Sequence, residues 1–181
     1  MTSSLMLLLL ILSAGGTRAI SCPDGTAGLT KKLYADSLVT VQGSATYANV
    51  TCIPADEFNA YSGDVTLNGL QHLTSIEEKA FFGFKGKLVV KGEYPSLQEI
   101  ADLAFMTVNS HRNQNQVSTS EVLFELGLPA LVTIGSQAFR SFTGTVSFAG
   151  AFPLLKSIGN TAFDDTGRGK GTNSKIDFGA G

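Results

Sequence analysis

Leu73-Thr-Ser-Ile-Glu-Glu-Lys-Ala-Phe81 returns as Leu97-Gln-Glu-Ile-Ala-Asp-Leu-Ala-Phe105, as Leu131-Val-Thr-Ile-Gly-Ser-Gln-Ala-Phe139 and as Leu155-Lys-Ser-Ile-Gly-Asn-Thr-Ala-Phe163. The Ile-x(4)-Phe part of this pattern reaches back to Ile53/Phe58. Three residues after the Phe comes Tyr61, Phe84 or Phe142, with Val108 in that slot after Phe105. Ile53 to Ile76 is 23 residues, Ile76 to Ile100 is 24, and Ile134 to Ile158 is 24. Self-similarity at this period is the mark of a solenoid, whose short units bury their apolar faces only against their neighbours.

Working outward from each Phe, two apolar residues stand seven and nine positions on: Val65/Leu67, Leu88/Val90 and Val146/Phe148. Alternation at i, i+2 predicts a half-buried strand. Gly63, Gly86 and Gly144 precede these strands, and Gly69, Gly92 and Gly150 follow them. Glycine at fixed offsets predicts turns with positive φ at both ends. Ile76, Ala80 and Phe84 lie four apart, which predicts a short helical turn between the Ile and the aromatic. Ala80, Ala104, Ala138 and Ala162 each precede a Phe, where a small side chain lets units approach closely. The expected fold is an α/β solenoid, a right-handed coil of about five units of 23–24 residues. One parallel β-sheet forms one face, with short helical turns opposite.

Two units break the period at the same point. Phe105 to Val122 is 17 residues and Phe163 to Ile176 is 13, against 7 elsewhere. Inserted loops are therefore expected near 109–119 and 164–174, with Val122/Phe124 and Ile176/Phe178 taking the strand slots. Insertions in repeats map to one face and often carry binding, which makes His111, Arg112, Arg168 and Lys170 candidate loop contacts. Polar loops are also tolerated at little cost, so a purely structural reading stands beside this one.

Residues 1–19 read as a signal peptide: an apolar run from Leu5 to Leu12, small residues, then Thr17-Arg18-Ala19. The run is too short to span a bilayer, and no later stretch is long and apolar enough. Removal leaves 162 residues with a net charge of 12 − 15 = −3. That charge offers no field for nucleic acid or an anionic membrane. Residues 20–52 form an N-terminal cap, with Val39/Val41 as a degenerate strand slot, and the repeats run over 53–181. Cys22 and Cys52 are the only cysteines; in a secreted chain such a pair predicts a disulfide closing the cap onto the first unit. Asn49-Val50-Thr51 is an N-glycosylation sequon.

Together the Leu-x-x-Ile-x(3)-Ala-Phe copies resemble the BspA-like leucine-rich repeat family over roughly residues 50–181. The slot three after the Phe is usually Cys in that family and is Tyr, Phe, Val or Thr here. The resemblance implies a leucine-rich repeat fold in a secreted or cell-surface protein that binds an extracellular protein or glycan, as in adhesion. It implies no shared catalytic residues.

Nothing in the sequence converges on chemistry. His72 and His111 are the only histidines and lie in different units. Gly167-Arg-Gly-Lys-Gly-Thr172 lacks phosphate-loop spacing, and Asp164-Asp165 is followed by no ligand series for a cation. The reading is non-enzymatic, with no cofactor and no metal. The candidate ligand face is the outward row of the strands: Thr66, Val89, Leu123 and Ser147, flanked by Lys91 and Glu125. Stacking places Asp64, Lys87 and Glu121 in one row, so a self-satisfied charge ladder is the competing account. The alternative function is a wall, matrix or surface-layer component that self-associates through the C-terminal edge near Phe178.

Overall fold

A computed structural model describes residues 22, 28–30, 49–107, 120–164 and 176–178. Each unit contributes two strands. The first series is short: β1 (Cys52–Ile53), β3 (Ser75–Ile76), β5 (Glu99–Ile100), β7 (Thr133–Ile134) and β9 (Ser157–Ile158). The second is β2 (Val65–Asn68), β4 (Lys87–Lys91), β6 (Glu121–Phe124), β8 (Thr145–Phe148) and β10 (Ile176–Asp177). They form two parallel five-stranded sheets, ordered β1-β3-β5-β7-β9 and β10-β8-β6-β4-β2.

The register follows the sequence alignment. Val65 pairs with Leu88, Leu88 with Val122, and Val122 with Val146. Ile176 takes its slot against Val146. The strand positions expected after the two insertions are therefore correct. In the other sheet Ile53, Ile76, Ile100, Ile134 and Ile158 form one row.

Two expectations need correcting. The fold has two sheets, not one, because the Leu-x-x-Ile corner is itself a ladder. The described residues also contain no helix in the Ile-to-aromatic segment. Its backbone groups bond to the next unit instead of to residue i−4. Phe58 N–H donates to Ala80 O at 2.7 Å, Phe81 to Ala104 at 2.8 Å, Phe105 to Ala138 at 2.7 Å and Phe139 to Ala162 at 2.7 Å. Three residues after each Ile the chain turns left-handed, at Asp56, Lys79, Leu103, Gln137 and Thr161 (φ 53–60°). A non-glycine residue there costs about 1–2 kcal/mol, which the ladders on both sides offset. The i, i+4 spacing of Ile76, Ala80 and Phe84 thus reflects inward-facing turn positions.

The glycines divide by role. Gly69, Gly92 and Gly150 have positive φ, as expected. Gly63, Gly86 and Gly144 do not; a Cβ at Gly144 would meet the Ser120 backbone oxygen at 1.6 Å and one at Gly86 the Gly63 oxygen at 2.1 Å, so close approach of units demands glycine there. A further corner precedes each Leu-x-x-Ile segment. Leu73 N–H donates to Leu70 O, Leu97 to Tyr94 O, Leu131 to Leu128 O and Leu155 to Phe152 O. Pro95, Pro129 and Pro153 sit second in three of these turns, where a fixed φ suits the bend.

The core is a set of vertical rows. Phe58, Phe81, Phe105, Phe139 and Phe163 stack with centroids 4.9–5.2 Å apart and planes within 12°. Phe124, Phe148 and Phe178 make a second row. Parallel offset rings and close packing of the Ile and Leu rows supply the burial that holds the short strands. The expected signal peptide (1–19), most of the expected cap with Val39 and Val41, and nearly all of both expected inserted loops lie outside the described residues.

Candidate ligand face

Strands β2, β4, β6 and β8 alternate. Val65, Leu67, Leu88, Val90, Val122, Phe124, Val146 and Phe148 point into the core and are buried. The residues between them point away, because side chains alternate across a strand. Parallel pairing then sets Thr66 beside Val89, Val89 beside Leu123, Leu123 beside Ser147 and Ser147 beside Asp177. The row expected from the sequence exists in that order. Thr66 is exposed, and Leu123 and Ser147 are half-buried. Val89 is only 9% exposed, so the apolar centre of the row is flatter than simple alternation implies. It lies between Thr66 and Leu123 laterally, and between two lysines whose stems can lie along apolar surface.

Charges flank this row in register. Lys87 pairs with Glu121 across the strands, and its Nζ lies 2.8 Å from the carboxylate. The hydrogen bond to Glu121 raises the Lys87 pKa above its ordinary value, with the Glu121 charge next in weight. The Asp64 carboxylate accepts the Lys87 backbone N–H at 2.9 Å. On the other side Lys91 reaches Glu125 at 4.0 Å. Of the three facing pairs expected from stacking, Lys87–Glu121 and Lys91–Glu125 form ion pairs, and Asp64 meets Lys87 at its backbone N–H. These two pairs flank the hydroxyl and aliphatic groups of the row, while the carboxylates of Asp64 and Asp177 stand towards its two ends.

The opposite sheet carries a second outward row, to which the sequence reading assigned no role. Ser75, Glu99, Thr133 and Ser157 align across β3, β5, β7 and β9. Ser157 and Thr133 hydroxyls meet at 3.3 Å. The signal was present as a polar residue before each of these isoleucines.

Cys22 and Cys52 are joined as expected. Gly28 bridges in parallel to Cys52, and Leu29 N–H donates to Cys52 O at 2.9 Å, so the N-terminal segment covers the edge of β1. Asn49 is exposed in a turn, while Val50 is buried. His72 is exposed in the turn before Leu73. His111, Arg112, Arg168 and Lys170 lie outside the described residues. Among the described residues no three or more His, Cys, Asp or Glu side chains gather as a metal site, and no helix is long and apolar enough to cross a membrane. Large apolar side chains are exposed at Leu126 (47%) and, in the last described unit, at Leu154 (52%), Ile158 (51%) and Phe178 (45%).

Comparisons of the chain with protein-family models, curated proteins and solved structures each return no match.

Proposed function

We propose that the chain is a secreted or cell-surface solenoid of the BspA-like leucine-rich repeat kind, which binds an extracellular protein or glycan and has no catalytic role. The supporting observation is the row Thr66-Val89-Leu123-Ser147, held in register on a parallel sheet. A strip with an aliphatic centre and hydroxyl residues on either side suits a sugar ring or an extended peptide. The Cys22–Cys52 disulfide is consistent with an oxidising, extracellular compartment. Binding of the secreted chain to an array of immobilised glycans and matrix proteins tests the reading, with Leu123→Asp as the matched control. Signals that vanish in the variant support it. Signals equal in both proteins, or saturable hydrolase activity of the wild type, would overturn it.

A second reading has its own observation. Ile158 is half-exposed, whereas the other isoleucines of its row are buried, and Leu154 and Phe178 lie in the same unit. That edge suits stacking against a further unit, as in a structural assembly. Concentration-dependent association lost in Phe178→Asp would favour it over the first.

A further inference from the structure

The sequon Asn49-Val50-Thr51 runs directly into Cys52, and the folded structure fixes its three residues differently. Asn49 is exposed. Val50 is 1% exposed and belongs to the core. The Thr51 carbonyl accepts both the Thr74 N–H at 2.7 Å and the Thr74 hydroxyl at 2.8 Å. The Thr51 hydroxyl donates to Cys22 Sγ at 3.4 Å. The next residue is held in β1 by Ser75, in the bridge to Gly28, and in the disulfide.

The sequon requirement for Ser or Thr means that the transferase reads the hydroxyl as well as the asparagine. Here the asparagine is accessible, but the hydroxyl faces the disulfide and the residues on either side of it are buried. Thr51 is half-buried, and an enzyme that grips both ends of the tripeptide must draw its hydroxyl away from Cys22 and its carbonyl away from Thr74.

We propose that Asn49 is a glycan-acceptor site and that closure of Cys22–Cys52 ends its availability, so that glycan transfer and disulfide formation compete. The proposal rests on the secretory reading above. In the transfer, the Asn49 side-chain nitrogen attacks the anomeric carbon of a lipid-diphosphate-linked oligosaccharide. The C–N bond forms, the C–O bond to the diphosphate breaks, and the amide proton passes to a base of the transferase. Disulfide closure in the same compartment takes seconds or longer. If the two steps run at comparable rates, roughly half of the chains close first, and removing closure raises occupancy about twofold.

Two measurements test this. The first compares secreted wild type with Cys22→Ser/Cys52→Ser, reading occupancy as the mass lost on enzymatic removal of N-glycans, with Asn49→Gln as blank. The double variant is expected to carry about twice the occupancy of wild type; equal occupancy overturns the competition. The second presents the purified, unglycosylated full chain to a transferase and lipid-linked donor, either oxidised or reduced and alkylated. The reduced chain is expected to be modified and the oxidised chain not. Equal modification of both overturns the role of closure, and modification of neither overturns the acceptor site. Chain retained inside the cell in every form would instead count against the secretory reading.

Discussion

Removing one ring from the middle of the Phe row should cost far more than removing one from its end. Phe105 is fully buried and stacks on both sides, 5.0 Å from Phe81 and 4.9 Å from Phe139. Phe105→Ala loses the transfer free energy of the ring and leaves a void enclosed by two rings that the ladders hold in place. Enclosed Phe→Ala changes cost about 3–5 kcal/mol, and two lost ring contacts place this one near the upper end. Phe163 is half-buried, with one stacked partner at 5.2 Å and an edge contact to Phe178 at 5.6 Å. Its truncation opens a notch that solvent can fill, so only the area term is lost, about 1–2 kcal/mol. The expected gap between the two variants is about 2 kcal/mol or more. Urea unfolding followed by far-ultraviolet circular dichroism resolves that gap as a midpoint shift of about 1 M, for a slope near 2 kcal/mol per M. Phe105→Leu, which keeps most of the bulk, should recover more than half of the loss. Equal costs for Phe105→Ala and Phe163→Ala would refute the argument, because stability would then not depend on having a neighbour on each side.

Three further expectations follow from single contacts. Gly144→Ala drives a Cβ to 1.6 Å from a backbone oxygen and should cost about 3 kcal/mol or more, whereas Gly69→Ala, whose Cβ would meet only the Gln71 side chain at 3.8 Å and whose φ is 61°, should cost only about 1 kcal/mol; thermal denaturation of the pair checks the order. Tyr94 is fully buried, its hydroxyl lies by the Leu70 and Gly69 backbone without a close hydrogen bond among the described residues, and burial outweighs those backbone groups to push its pKa well above the ordinary phenol value. Because the folded-state pKa is raised, this contribution is whole below about pH 10 and is lost as pH rises further, by up to about 1.4 kcal/mol per pH unit; Tyr94→Phe should remove that slope and change stability at pH 7 by less than about 1 kcal/mol. Reducing Cys22–Cys52, 30 residues apart, should cost about 3–4 kcal/mol by loop-closure entropy, read as a lower urea midpoint in reductant.

The inward half of each unit was legible in the sequence because stacking makes it repeat. Leu88, Val122 and Val146 could be aligned across a ten-residue insertion, since only apolar side chains can occupy a row buried on both sides. The turns were misread for a related reason. Ile76, Ala80 and Phe84 carry the spacing of a helix face, and nothing in the residue types marks Lys79, Leu103 or Gln137 as left-handed. Those conformations are imposed by hydrogen bonds to the next unit, such as Lys79 N–H to Asp102 O at 3.2 Å and Leu103 N–H to Ser136 O at 3.0 Å. Partners so distant in sequence leave no local signature. The second sheet was missed likewise, because strands of two residues are too short to display a period.

The outward half of each unit obeys a weaker constraint. Stacking asks only that neighbours in a row not repel one another, and Lys87–Glu121 and Lys91–Glu125 satisfy that demand at the margins. Nothing in the stacking explains aliphatic side chains in the outward slot between those margins. Thr66 and Ser147 show that hydroxyl residues fill the same slot in the flanking strands, whereas β4 and β6 carry Val89 and Leu123. An exchange of Leu123 for Thr should therefore leave the fold intact, since the slot accepts hydroxyl residues on either side and the inward ladder is untouched. Its stability should move by less than about 1 kcal/mol, as for other partly exposed positions. If the outward row is a binding strip, the same exchange removes its apolar centre and weakens binding while the unfolding midpoint stays in place. A parallel loss of stability and binding would mean that Leu123 serves the stack, and the strip would lose its claim as a recognition surface.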